Sequence, residues 1–215
     1  MYYDWDWEAA EAEFKRAVQT KPNYVTAHHW YAEYLTWMGR HEEAIAEITR
    51  AHELDPLSPL INYIKAYLLF YARQYESSLE QCRQTLELDP NFTMAYHGIG
   101  KFYIQKGKYD EAILELQKSK AMTYLGLAYG LAGKRKEALG IAKEMEEQWR
   151  QGNGRAFSII RVYVGLGEQD LALDWLEKSF EIREPRMAEI KVDPVFDSLR
   201  SHPRFKALLK KMKLE

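Results

Sequence analysis

From Trp7 to the C-terminal lysines, apolar residues recur at three- and four-residue steps, and the runs break at regularly placed prolines and glycines. Pro22, Pro56 and Pro90 stand 34 residues apart, each closing a helical run (FKRAVQTKP, ITRAHELDP, CRQTLELDP) where a proline ends one helix and begins a turn. With each proline set at position 32 of a unit, small residues fall at positions 8 and 20, a large residue at 11 and glycine at 15. The unit Val25 to Ser58 follows this pattern with Ala32, Leu35, Gly39, Ala44, Ile48 and Ala51. Such a unit predicts two antiparallel helices. Small residues at 8 and 20 let the pair approach closely, while larger ones fill the seam toward the next pair. Glycine at 15 marks the end of the first helix, where positive φ is commonly required.

The pattern recurs with Gly100, Tyr103, Gly107 and Ala112, then with Leu125, Gly126, Tyr129, Gly133 and Ala138, and again with Tyr163, Gly167, Ala172 and Leu176. The 215 residues therefore divide into one array: a half repeat at 1–24, units at 25–58, 59–92, 93–118, 119–152 and 153–186, and a capping tail at 187–215. Three departures stand out. In unit 59–92, Arg73, Ser78 and Cys82 replace the glycine and the small residues, which predicts looser packing between its helices. Unit 93–118 is eight residues short, with the gap falling near Lys120. The half repeat leaves Asp6 to Thr20 as a second helix with no first helix before it, so its apolar residues Trp5, Trp7, Phe14 and Val18 lack their usual partner. In the tail, Asp193-Pro194 and His202-Pro203 predict short helices at about 194–200 and 203–213. There Phe205, Leu208, Leu209 and Met212 should pack back on the last unit, with Lys206, Lys210, Lys211 and Lys213 facing solvent.

Composition narrows the function. Thirty Lys and Arg against 32 Asp and Glu give a net charge of −2, which supplies no general attraction to nucleic acid or an anionic membrane. The single cysteine, Cys82, cannot form an internal disulfide, and a reducing, cytoplasmic setting is expected. The acidic start, with Asp4, Asp6, Glu8, Glu11 and Glu13, is unlike a signal peptide, and the apolar stretch Leu60 to Tyr71 is too short for a membrane span and contains Lys65.

The 34-residue period and the residues that fill it resemble the tetratricopeptide repeat family. The runs Tyr3-Asp4-Trp5-Asp6-Trp7-Glu8 and Ala27-His28-His29-Trp30-Tyr31-Ala32, with the tail from Lys191-Val192-Asp193-Pro194 through Arg204-Phe205, further resemble arrays at the C-terminal end of bacterial signalling proteins. In those proteins a class III nucleotide cyclase, a winged-helix regulator or a serine/threonine kinase stands first; none of these parts is present in the chain. The resemblance implies an all-α, right-handed superhelical solenoid of antiparallel helix pairs with C-terminal capping helices. Its concave face would be lined by positions 2, 5, 9, 12 and 13 of each first helix. Those positions place His29, Glu33 and Trp37 beside an aromatic shelf of Tyr63, Tyr67, Phe70 and Tyr71, with His97 and Lys101 on its far edge. Aromatic groups with polar tips suit an extended peptide, because they bury much area at small entropic cost. The Lys-and-Asn clamp by which some arrays of this family hold a chaperone's terminal carboxylate is absent: its positions carry His29/Glu33, Tyr63/Tyr67, His97/Lys101, Thr123/Leu127 and Phe157/Arg161.

Catalytic and metal chemistry find little support. The six histidines (28, 29, 41, 52, 97 and 202) form no HExxH motif. His28 falls at a packing position, Cys82 on a buried helix face, Gly152-Asn153-Gly154 in a turn without the lysine of a phosphate loop, and Lys134-Arg135-Lys136 at a solvated helix start. The expectation is a scaffold that is not an enzyme, needs no cofactor or metal, and binds a protein or peptide in its aromatic groove, with no nucleic-acid or membrane partner. The alternative is a homodimer formed through Trp5, Trp7, Phe14 and Val18.

Overall fold

In the computed structural model residues 5–215 are described, so Tyr3 and Asp4 of the N-terminal motif lie outside them. The described chain forms α1 (Trp7–Thr20), α2 (Val25–Trp37), α3 (His41–Leu54), α4 (Pro59–Tyr71), α5 (Tyr75–Leu88), α6 (Thr93–Gln105) and α7 (Tyr109–Ser119). It continues through α8 (Met122–Leu131), α9 (Arg135–Arg150), α10 (Ala156–Gly165) and α11 (Gln169–Glu181), then two 3-10 helices (Pro185–Lys191 and Pro194–Leu199) and α12 (Pro203–Lys211). The even-numbered helices α2 to α10 are the first helices of five antiparallel pairs stacked into a solenoid.

Local chemistry sets the boundaries. Asp6 caps α1 by accepting from the Ala9 amide at 3.1 Å, and Ser58 caps α4 by accepting from Ile61 at 3.3 Å, with Pro59 in the first turn. Four first helices end at glycines with positive φ, Gly39, Gly107, Gly133 and Gly167, and α4 ends at Arg73, which adopts the same left-handed conformation at φ 63°. Within the pairs Ala32, Ala44, Ala112, Ala138 and Ala172 are buried against the facing helix. The looser packing expected at unit 59–92 is not found. The Ser78 hydroxyl donates to the Ala66 carbonyl at 2.7 Å, and the Cys82 sulfur fills the space that a Cβ on Gly98 would occupy, 2.5 Å away. A hydrogen bond within the pair, and a polarizable atom packed against the next first helix, α6, thus take the place of alanine contacts.

The eight-residue shortfall is spread over the junction. Second helices α3 and α5 have 14 residues and α7 has 11; first helices α2, α4 and α6 have 13 and α8 has 10. The four-residue turn shrinks to Lys120 and Ala121, with Lys120 in the left-handed region at φ 54°.

Two expectations are corrected. The tail does more than cap the end of the array: Pro185–Lys191, a 3-10 helix not foreseen, enters the concave side, and Asp197 reaches Arg73 through two hydrogen bonds of 2.7 and 2.9 Å. The chain then returns as α12, where Arg204 bonds Asp174 and Glu177 of α11. The N-terminal helix is not unpartnered. Trp5 stacks on Phe180 at 6.0 Å, the Trp7 indole N–H donates to the Met212 carbonyl at 2.7 Å, and Phe14 packs on Tyr31 and Tyr34, with half-buried Val18 against the same core. The face proposed for self-association is covered by α2 and by the chain's own C-terminal region.

Candidate partner-binding groove

The floor of the concave side is a charged network built from α4, α8, α10 and the tail. On α10, Arg161 lies one helical turn after Phe157 and projects inward, its Nη2 donating to Glu189 at 2.9 Å and to Asp193 at 2.7 Å. The Tyr67 and Tyr71 hydroxyls, one turn apart on α4, donate to the two Glu189 oxygens at 3.3 and 3.4 Å, and Tyr124 of α8 donates to Asp193 at 3.3 Å. Arg186 closes the mouth with a 2.6 Å ion pair to Glu189. Glu189 and Asp193, four residues apart, are the acidic positions of the mainly apolar run MAEIKVDPVF, which also carries Lys191, and both acids are buried. Burial by itself would raise the Asp193 carboxyl, but the neighbouring Arg161 and Lys101 overcome it and hold it below its ordinary value.

Lys101, on α6 and 3% exposed, enters the floor differently. Its ammonium lies 4.0 Å from the Phe70 ring centre, 4.5 Å from Tyr71, 5.1 Å from Tyr67 and 5.3 Å from Tyr124. Burial pushes its pKa down to about 8, against the attraction of Asp193. One turn earlier His97 packs edge-on against Tyr124 at 4.7 Å; its Nε2 is buried without a hydrogen-bond partner, and burial followed by the charge of Lys101 drives its pKa well below the usual imidazole value.

Above this floor lies a half-enclosed cavity of about 400 Å³. Of the nine groove residues expected from the register, Glu33, Trp37, Tyr63, Tyr67, His97 and Lys101 line it. Phe70 and Tyr71 sit behind it, almost fully buried, and His29 stacks on Trp30 at 5.1 Å and lies 3.4 Å from Glu33. The register missed Trp30 and Tyr124, which face the cavity from positions outside the groove set, and it missed Arg186 and Glu189, which come from the tail. The one available signal was the pair of acids in a mainly apolar run.

The remaining sequence candidates fall elsewhere. His28 donates from Nε2 to the Pro22 carbonyl at 3.0 Å and places Nδ1 2.6 Å from Glu47, a seam contact within the first complete pair. Cys82 is fully buried, and burial pushes its thiol up to about 12, far from thiolate reactivity. Among the described residues no three His, Cys, Asp or Glu side chains are grouped to hold a metal ion, and no helix is long and apolar enough to cross a membrane.

Two tetratricopeptide repeat models match residues 6–68 and 63–123, together more than half of the chain. The chain belongs to the tetratricopeptide repeat family, and its repeats are a scaffold for protein–protein interaction. It is 30% identical over 106 residues to human Tetratricopeptide repeat protein 13, a match covering 49% of this chain and 12% of that protein. The chain spans between 12% and 22% of the length of the curated relatives it matches. Among solved structures it resembles PilW, a type IV pilus biogenesis factor, with 18% identity, 91% of each chain covered and a TM-score of 0.59. It also resembles TTC0263, a thermophilic tetratricopeptide protein of Thermus thermophilus, with 19% identity, 87% of this chain and 100% of that one covered, and a TM-score of 0.59. At these identities the two structures share the fold. The models stop at residue 123, yet α8 to α11 continue the same stacking of pairs.

Proposed function

We propose that the chain is a non-catalytic docking module of a cytoplasmic signalling or regulatory protein, and that a peptide or extended partner segment lies across the mouth of its concave groove. The observation that carries this reading is the apolar rim around the cavity. Trp30 is 46% exposed and Met94 is 41% exposed at its edge, above the aromatic walls of Tyr63 and Tyr67. A tryptophan held by stacking on His29, with a flexible thioether lining the same cavity, offers large contact area at small entropic cost, the composition that anchors partners in binding hot spots. The signalling setting is supported by the N-terminal and tail motifs shared with arrays of that kind.

The rim is the place to test this, because the floor residues also hold the tail. Trp30→Ala combined with Met94→Ala should abolish capture of the partner in a pull-down while leaving the thermal unfolding midpoint and helical circular dichroism unchanged. Equal recovery by the double variant would falsify the groove reading.

A further inference from the structure

Of the cations at the floor, Arg161 and Lys101 are buried, while the Arg186 side chain is 46% exposed at the mouth. Arg161, Arg186 and Lys101 face Glu189 and Asp193, and the two carboxylates are already committed. Both accept from Arg161; Glu189 also takes Arg186 and the hydroxyls of Tyr67 and Tyr71, and Asp193 takes Tyr124 and the Val195 amide. Lys101 forms no ion pair or hydrogen bond among the described residues, and the rings around it supply only cation–π attraction. A buried ammonium without an anionic partner carries most of its desolvation cost uncompensated. Beside it, the buried Nε2 of His97 also lacks a partner.

Both groups line the 400 Å³ cavity, whose walls are mainly aromatic. A half-enclosed apolar pocket with a few convergent polar groups is the usual form of a small-molecule site. Glu33 stands at the mouth, 3.4 Å from the His29 imidazole, and the Glu189 carboxylate is held by Arg161 and Arg186. The tail residues Pro185, Arg186 and Glu189 form one wall and narrow the pocket, which favours a compact ligand over a continuous backbone at the floor. We propose that this cavity binds a small organic acid with a flat apolar body, its carboxylate against the Lys101 ammonium with His97 alongside, and its body between Trp37, Tyr63 and Tyr67. The acid gives the Lys101 ammonium the anionic partner it lacks, and the array thereby gains a small-ligand site beneath the rim where the partner segment docks.

Isothermal calorimetry on the purified chain tests this with 2-naphthoate, the neutral 2-naphthylmethanol, and an acetylated tripeptide, Gly-Gly-Phe, with a free carboxylate. The wild-type chain should bind the naphthoate at least tenfold more tightly than the alcohol and more tightly than the peptide. Lys101→Met should erase the preference for acid over alcohol while retaining affinity for the alcohol. Equal affinity for acid and alcohol, a preference that survives in Lys101→Met, or tighter binding of the peptide would each overturn the proposal, as would absence of heat from either naphthalene probe at about 1 mM. The wild-type acid-to-alcohol ratio decides the matter even if the variant fails to fold. No partner protein enters this measurement and Trp30 and Met94 are untouched by it, so it and the rim test can fail separately.

Discussion

The first helices of the array meet in two different ways along its length. In the N-terminal half, α2, α4 and α6 carry large side chains at the inner positions near their C-terminal ends, among them Trp37, Phe70, Tyr71 and Ile104, and the space beneath is filled by rings, buried charges and the tail. In the C-terminal half the corresponding positions of α8 and α10 are Gly130 and Gly165, and the two backbones touch: a Cβ on Gly130 would lie 2.5 Å from the Gly165 carbonyl carbon, and one on Gly165 would lie 2.5 Å from the Leu127 oxygen. One repeat pattern thus supports both an open pocket and a closed seam, and the residues outside the pattern's small positions decide which forms. The groove is a property of the N-terminal half and of the segment that folds back onto it.

Arg161 joins the halves, since it stands on α10 and its bonds end on the tail acids that also hold α4. Arg161→Ala strands Glu189 and Asp193 in a buried setting with a single remaining ion pair, from Arg186. Removing one partner of such a network costs about 3–5 kcal/mol. The expected result in urea denaturation is a loss of that size, or a separate early transition as the tail leaves the groove. A loss below about 1 kcal/mol would mean that the tail contributes little to closing the pocket.

The period exposes the helix pairs because small and large residues must alternate wherever two helices pack at a fixed distance, and Ala32, Ala44, Gly100 and Ala112 report that constraint locally. The shortened junction at Lys120 was legible for the same reason, as a count of residues between equivalent positions. The floor was legible only in part. Tyr63, Tyr67 and Lys101 follow from the register, but Glu189, which accepts from Tyr67, lies 122 positions away from it, in a segment with no repeat. The ion pairs form through tertiary return of the chain, which periodicity does not encode. Nor does the isolated helix α1 reveal that Trp5 and Trp7 find Phe180 and Met212 at the other end of the molecule.

Lys101 sharpens the open half of the comparison. With its pKa at about 8 in the fold and 10.5 in its ordinary state, the unfolded chain holds a proton between those values that the folded chain has released. Stability attributable to this site therefore rises with pH through that window, and below about pH 8 the cost of burying the ammonium is fully present. The groups facing it are Tyr67, Phe70 and Tyr71 on α4, Tyr124 on α8, Arg161 on α10, the tail's Arg186, Glu189 and Asp193, and His97 on its own helix. Lys101→Met places an apolar group among the rings and should stabilise the protein by up to about 3 kcal/mol at pH 7, with the gap to wild type closing as pH approaches 10. Denaturation curves at the two pH values check it; a gap independent of pH would show that Lys101 does not titrate in that window.

Gly130→Ala probes the closed half, where a smaller effect is expected. Alanine is the better helix former by up to about 1 kcal/mol, so in an unobstructed helix the substitution would stabilise. At Gly130, however, the added methyl meets the Gly165 carbonyl group and the Leu166 nitrogen at 2.5 to 2.8 Å, and backbone atoms have no rotamer through which to withdraw. Separating α8 from α10 should cost about 1–3 kcal/mol, outweighing the gain in propensity. The control is Gly140→Ala, on α9, where a Cβ meets nothing within 4 Å and propensity alone should act. Opposite signs for the two substitutions in thermal denaturation would place the strain in the seam between the first helices. Stabilisation by both would mean that α8 and α10 can separate freely, and that the contrast between an open and a closed half has no energetic basis.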